Sequence, residues 1–211
     1  MTTIALAGAT GLVGSAVLAL ALADDRVTRI VAPTRRPLPP HSKLVAPLVD
    51  FTALPTQAEW WAMDTGICAL GTTRVDAGST EAFRRIDHGY PLAFARHLRA
   101  HGASRFVLVS AAGANARSPF LYFKVKGQLE RDLAQLGFAS LTLVQPGLID
   151  GERNTPRSGE RRAVTWLTRF RPILSPLVRI NPAAAIARAV LEAALIGAPG
   201  QEIIGPARLI G

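Results

Sequence analysis

The sequence predicts an α/β fold, a doubly wound and mostly parallel sheet of about seven strands with helices on both faces. Three observations carry that prediction. A glycine-rich turn, Gly8-Ala9-Thr10-Gly11-Leu12-Val13-Gly14, joins a short apolar run to a longer apolar segment. Further along, β-branched or apolar runs of roughly four to six residues alternate with longer helical stretches, which is the pattern of βαβ units. Finally, 49% of the 211 residues are apolar, enough to bury both faces of a sheet within one domain spanning 1–211.

Strands are expected at 3–7, 28–32, 44–49, 66–70, 105–109, 141–145 and 202–204. They need not alternate polar and apolar residues, because a parallel sheet is covered on both sides. Helices are expected at 12–23, in a short segment after the capping box Thr56-Gln57-Ala58-Glu59, in a long segment ending near His101-Gly102, and at 120–136 and 182–196. The last has Asn181 as its expected N-cap and Pro182 at its first position. The Pro-, Gly- and Arg-rich stretch 147–162 reads as a long loop after the sixth strand. With the residues up to 181 it is expected to form a small lobe or lid on the substrate side, since ligands bind at the carboxyl ends of such strands.

The glycine turn follows the first strand and opens the first helix. In that setting it is the phosphate-binding turn of a Rossmann-type dinucleotide site. Gly8, Thr10, Gly11, Leu12, Val13 and Gly14 are therefore expected to cradle a pyrophosphate. A carboxylate at the end of the second strand would select the ribose 2′-hydroxyl of NAD, whereas the sequence reads Pro33-Thr34-Arg35-Arg36. Guanidinium groups there suit a 2′-phosphate, so NADP(H) is expected over NAD(H), with Arg35 as the main contact and Arg36 beside it.

Tyr122-Phe123-Lys124-Val125-Lys126 places a phenol and an ammonium four residues apart on one helical face. The nearby cation favours the phenolate, as proton donation or acceptance requires. Upstream, Ser110 ends the strand at 105–109, where its hydroxyl could bond a substrate carbonyl or simply close a turn.

These motifs, with Ile67-Cys68-Ala69-Leu70-Gly71-Thr72-Thr73-Arg74 and Gln145-Pro146-Gly147, resemble the short-chain dehydrogenases/reductases. Within them they resemble the atypical branch of the oxidoreductase-type Tat-interacting protein. The resemblance implies a catalytic set of Ser110, Tyr122 and Lys126, with Tyr122 as acid/base and Lys126 also binding the nicotinamide ribose. It further implies that Leu70, Gly71, Thr72 and Thr73 line the cofactor, that Asp50 and Phe51 lie by the adenine, and that Pro146, Gly147 and Leu148 lie by the nicotinamide. Three positions depart from that branch. Ala111 follows Ser110 where a second serine is usual, no asparagine precedes Ser110 to fill the position used by many members, and Gln145 replaces an arginine.

The expected activity is an NADP(H)-dependent oxidoreductase acting on a small carbonyl or hydroxyl compound. Epimerase or dehydratase chemistry and a non-catalytic NADP(H) sensor are the alternatives. No metal is expected: His97 and His101 have zinc-helix spacing but no third ligand, and they suit the end of a helix. The net charge of +9 fits several acidic partners, yet the aromatic and basic patterning of nucleic-acid readers is missing. Arg153, Arg157, Arg161 and Arg162 read as a solvated basic loop or as a lure for an anionic substrate. The stretch 166–178 reads as a lid, with peripheral membrane or homodimer contact as the alternative. The single Cys68 excludes an internal disulfide, and no basic flank precedes the apolar run at 12–23, so a cytoplasmic protein is expected.

Overall fold

The computed structural model describes residues 1–150 and 179–210. Its strands are β1 (Thr2–Ala7), β2 (Val27–Val31), β3 (Leu44–Val45), β4 (Thr65–Cys68), β5 (Arg105–Val109), β6 (Ser140–Val144), β7 (Leu148–Asp150), β8 (Ile180–Pro182) and β9 (Gly200–Ile204). Seven of them form one sheet in the order β3-β2-β1-β4-β5-β6-β9, and every pairing is parallel. The chain winds outward from β1 in one direction and then from β4 in the other. The crevice between β1 and β4 is therefore the switch point at which such sheets bind ligands.

Successive residues of each strand feed two separate cores. Ile4, Leu6, Ile30, Ile67, Val107, Val109 and Val144 pack under α1 (Leu12–Ala23) and the late helix at 183–195. Ala5, Ala7, Val31, Cys68, Phe106, Leu108, Leu141 and Leu143 face the opposite layer. That layer is built from short helices α2 (Arg74–Ala77) and α3 (Thr80–Arg84), a π-helical turn at Arg85–Gly89, and the longer α4 (Tyr90–Ala100) and α5 (Leu121–Ala134). The late helix is α6 (Ala183–Leu195). These buried side chains explain why the strand runs read as continuously apolar.

Three local expectations are corrected. The third strand stops at Val45, because Pro47 has no N–H for the ladder; beyond it only a bridge between Thr34 and Leu48 remains. The Thr56 to Glu59 capping box does not form. The turn there is a short 3-10 helix, Glu59–Trp61, whose position is set by Trp61, fully buried, with its indole N–H donating to the Pro55 carbonyl at 2.7 Å and its rings stacked on His97. Asn181 is not the cap of α6, which begins after Pro182.

Asn181 instead lies within β8, fully buried, in a parallel pair with β7. Its side-chain oxygen accepts from the Gly147 N–H at 2.9 Å, and its amide nitrogen donates to the carbonyls of Pro206 (3.0 Å) and Leu209 (2.7 Å). One amide thus joins the loop after β6 to the chain's last described turn. Asn181→Ala would take a hydrogen-bond partner from three backbone groups, the buried Leu209 carbonyl among them, and is expected to cost on the order of 2 kcal/mol, read as a lowered midpoint in urea unfolding.

Candidate functional site

The site begins where β1 turns into α1. Gly8 has φ of +91°, and a side chain there would meet the Ala69 backbone at 2.7 Å. Gly14 faces the Gly8 carbonyl oxygen so closely that a Cβ would lie 2.0 Å from it. The turn is closed by the Gly11 N–H donating to Gly8 O at 2.9 Å, and no side chain caps the first amides of α1. Those amides point out of the sheet's carboxyl edge, as a phosphate site requires.

One cleft beside this turn is lined by Gly8, Ala9, Thr10, Pro33, Thr34, Arg35, Arg36, Phe51 and Leu70. The fold therefore gathers the glycine turn, both expected arginines, Phe51 and the start of the loop after β4 into one space. Thr34 shapes the arginine turn, its hydroxyl donating to the Arg36 carbonyl at 2.9 Å and accepting from the Arg36 N–H at 3.2 Å. Asp50 does not line the cleft. Its carboxylate accepts from the Thr52 N–H at 2.8 Å, a bond that holds its pKa below the usual value, and this turn presents the buried Phe51.

The loop after β4 runs from that cleft toward α5. Along it, Thr73 caps α2 by accepting from the Asp76 N–H, so its hydroxyl serves the helix. Thr72 donates its N–H to Asp87 Oδ2 at 2.8 Å. The other oxygen of Asp87 lies 2.9 Å from Lys126 Nζ, and both side chains are almost wholly buried. A Cβ on Gly71 would sit 3.5 Å from Asp87 Oδ1 and 3.6 Å from Lys126 Nζ, so the loop rests directly on the ion pair. Burial pushes the Lys126 ammonium toward neutrality, but Asp87, Tyr122 and Cys68 together hold its pKa above the ordinary lysine value.

One turn before Lys126 on α5, Tyr122 is 41% exposed, against Phe83 and Phe123. One turn after Lys126 comes Glu130. Ser110 donates its hydroxyl to Glu130 Oε1, and Gln145 Nε2 donates to both Glu130 oxygens at 2.9 and 3.1 Å. A substrate carbonyl would receive the Ser110 proton only if this bond were given up. Burial raises the Glu130 carboxyl above the ordinary glutamate value even against these donors. The loop after β6 closes the arrangement: Pro146 O accepts from the Ala112 N–H, Gly147 is held by Asn181, and Leu148 starts β7.

Asp87 and Glu130 were missed by sequence reasoning. Glu130 shares the stripe of Tyr122 and Lys126 at four-residue spacing, a signal that could have found it. Asp87 has no such signal, since it reaches Lys126 across 39 positions of sequence from a π-helical turn. The burial of Cys68 raises its thiol to about 12, so it is no nucleophile. His97 and His101 serve packing, the first stacked on Trp61 at 4.8 Å and the second bonded through Nδ1 to the His97 carbonyl. The arginines at 153, 157, 161 and 162, and the stretch 166–178, lie outside the described residues. Among the described residues no helix is long and apolar enough to cross a membrane.

The residues at the switch point fit a dinucleotide: the turn has no room for side chains, the helix amides are uncapped, and guanidinium groups stand at the second strand. Comparisons with known proteins agree with that fold. No family model matches the chain. Curated relatives do: protein fmp52 of Emericella nidulans is 36% identical over 170 residues, covering 76% of this chain and 72% of the relative. FMP52 of Lodderomyces elongisporus is 37% identical over 191 residues, covering 81% and 79%.

Solved structures with the same fold include MoeE5 in complex with UDP-glucose and NAD, at a TM-score of 0.75 and 18% identity over 96% of this chain and 76% of that one. They also include a short chain dehydrogenase/reductase from Saccharomyces cerevisiae, at a TM-score of 0.69 and 13% identity over the whole of both chains. The curated relatives are named as mitochondrial proteins, which overturns the cytoplasmic placement expected above. A buried unpaired thiol suits any reducing compartment and could not have told the two apart.

The raised Glu130 carboxyl has a consequence for stability. A carboxyl whose pKa is higher in the folded state binds its proton preferentially there, so its charged form weakens the fold as pH rises past the unfolded value. Glu130→Gln removes that penalty. The midpoint of thermal unfolding of Glu130→Gln relative to the parent is expected to shift in the variant's favour between pH 5 and pH 8.

Proposed function

Because the chain belongs to the Fmp52 family and shares its fold with a short chain dehydrogenase/reductase, we propose that it is an NADP(H)-dependent oxidoreductase using Tyr122 as its acid/base. The observation that supports this best is the layout of α5. An exposed phenol stands one turn from a buried lysine paired with Asp87, at the carboxyl edge of a sheet whose switch point carries the glycine turn.

When bound, the nicotinamide supplies or accepts the hydride. The chain's own residues bind, orient and move the proton. The first amides of α1 and the backbone of Gly8 to Gly14 hold the pyrophosphate, and Arg35 with Arg36 grips the 2′-phosphate by charge-assisted hydrogen bonds. Lys126 offers its ammonium to the ribose and sets a positive charge one helical turn from the Tyr122 phenol. Tyr122 then gives its hydroxyl proton to a substrate carbonyl oxygen, or takes one from a hydroxyl in the reverse direction. The relatives' names carry a mitochondrial setting into this reading. The ligand in this reading is a small molecule.

Two measurements test the reading. Arg35→Ala should weaken NADPH binding about tenfold or more while changing NADH binding less than about twofold in fluorescence titration; equal losses would remove the NADP assignment. Tyr122→Phe should keep cofactor affinity and lower turnover by a factor on the order of 10² to 10⁴, assayed at the nicotinamide absorbance against carbonyl, quinone and nucleotide-sugar panels. Unchanged turnover in Tyr122→Phe would sink the acid/base role.

A further inference from the structure

The buried pair under the Gly71–Thr72 loop involves a residue to which the reading above assigns no work. We propose that Asp87 is the positioning residue of this site, holding the Lys126 ammonium charged and fixed against the cofactor loop so that dinucleotide binding persists at alkaline pH. The inference rests on the proposal that the dinucleotide follows that loop.

Geometry carries it. Asp87 is the central residue of the π-helical turn Arg85–Gly89, and such turns are frequent at functional sites. The turn is fastened to α5 on both sides of Asp87: Arg84 donates to Gln128 at 3.2 Å, and His88 pairs with Asp132 at 2.9 Å. Between these surface links, Asp87 points inward with no exposure. One of its oxygens faces Lys126 Nζ and the other accepts from the Thr72 N–H, so a single carboxylate fixes a charged side chain and the backbone of the loop together.

The charge balance around Lys126 singles out Asp87. Besides it, the titratable groups near the ammonium are Tyr122 and Glu130 on the same helix and Cys68 on β4. Cys68 is a neutral thiol at working pH, and Tyr122 is neutral when it serves as a proton donor. Glu130 is tied to Ser110 and Gln145. A buried ammonium that lost Asp87 would keep its charge only at the cost of desolvation, and would shed its proton at lower pH.

The chain contains three lysines, Lys43, Lys124 and Lys126, so the 13Cε resonances of lysine-labelled protein report Lys126 individually once it is assigned by its loss in Lys126→Met. In the parent protein the Lys126 signal should stay that of an ammonium beyond pH 10. In Asp87→Asn, which keeps an acceptor for the Thr72 N–H, its midpoint should fall to about pH 8, at least about two pH units below the parent's. Cofactor binding provides the second arm. NADPH and NADH affinities of Asp87→Asn should weaken together, by about tenfold between pH 7 and pH 9, while the parent changes by less than twofold.

An unmoved Lys126 midpoint in Asp87→Asn overturns the proposal. So does a moved midpoint with cofactor affinity that remains flat across this range. A parent protein that binds neither nucleotide would instead refute the dinucleotide reading, and with it the cofactor half of this proposal, while the lysine titration still decides the charge-holding half. If Asp87→Asn does not fold, Asp87→Asn/Lys126→Met is compared with Lys126→Met. A higher unfolding midpoint in the double variant supports a charge-holding pair, because the single variant strands a buried carboxylate. An equal or lower midpoint overturns it.

Discussion

The molecule is organised around a contact between two stretches of backbone with no side chain between them. Where β1 ends, the Gly8 carbonyl lies against Gly14 in the first turn of α1, and the Gly8 backbone lies against Ala69 at the end of β4. Both contacts are closer than any Cβ permits. They lock the first strand, the first helix and the fourth strand into one corner, and that corner is the switch point of the sheet. The helix starts with its amides aimed at the crevice because the chain has no other way to turn so tightly. Everything else in the site is placed relative to it: the arginines at the end of β2 on one side, the loop after β4 on the other.

From that corner the two faces of the sheet diverge in character. The face under α1 and α6 is built almost wholly from Val, Leu, Ile and Ala, and α1 carries no charged residue between Leu12 and Ala23. It supplies burial and little else. The opposite face is packed by Trp61, Phe94, Phe106 and Leu129 farther down, but toward the carboxyl edge its layer admits Asp87, Lys126, Ser110 and Glu130. Buried charge is costly unless partnered, and here each charged group has its partner: Lys126 with Asp87, Glu130 with Ser110 and Gln145. A polar pocket can exist on this face because the other face carries the apolar burden.

How much of this was legible in the sequence follows from how local each determinant is. The glycine turn, the arginine pair and the Tyr122 to Lys126 spacing are each contained within seven residues, and their elements formed where the pattern placed them. Strand β5 and helix α1 coincide with the expected bounds, since buried parallel strands and an uninterrupted apolar helix leave little freedom. Failures came where a distant contact decides. Pro47 shortened β3 through a missing ladder donor, Trp61 overrode a local capping box, and Asn181 looked like a helix cap while its amide serves three backbone groups far along the chain. Asp87 stood inside an apparently ordinary run, and only the π-helical turn and the approach of α5 give it a role.

Differences in burial along α5 tie these parts together. Tyr122 is partly open, Lys126 is 3% exposed, and Glu130 lies in between, one turn apart each. A group that exchanges a proton with an incoming substrate must be reachable. A cation that biases that group must be shielded, because its field is weakened by water and strengthened by a low-dielectric surround. The two demands conflict within a few ångströms, and α5 meets them on one stripe because Asp87 and the loop after β4 cover Lys126 while Tyr122 one turn earlier stays open. The shielded cation then needs an anion that is itself shielded, and the carboxylate one turn further along α5, Glu130, is already engaged by Ser110 and Gln145. The partner has to come from the neighbouring helical layer, which is where the π-helical turn brings Asp87. The chain departs from a regular helix at the turn from which the buried charge on α5 is balanced.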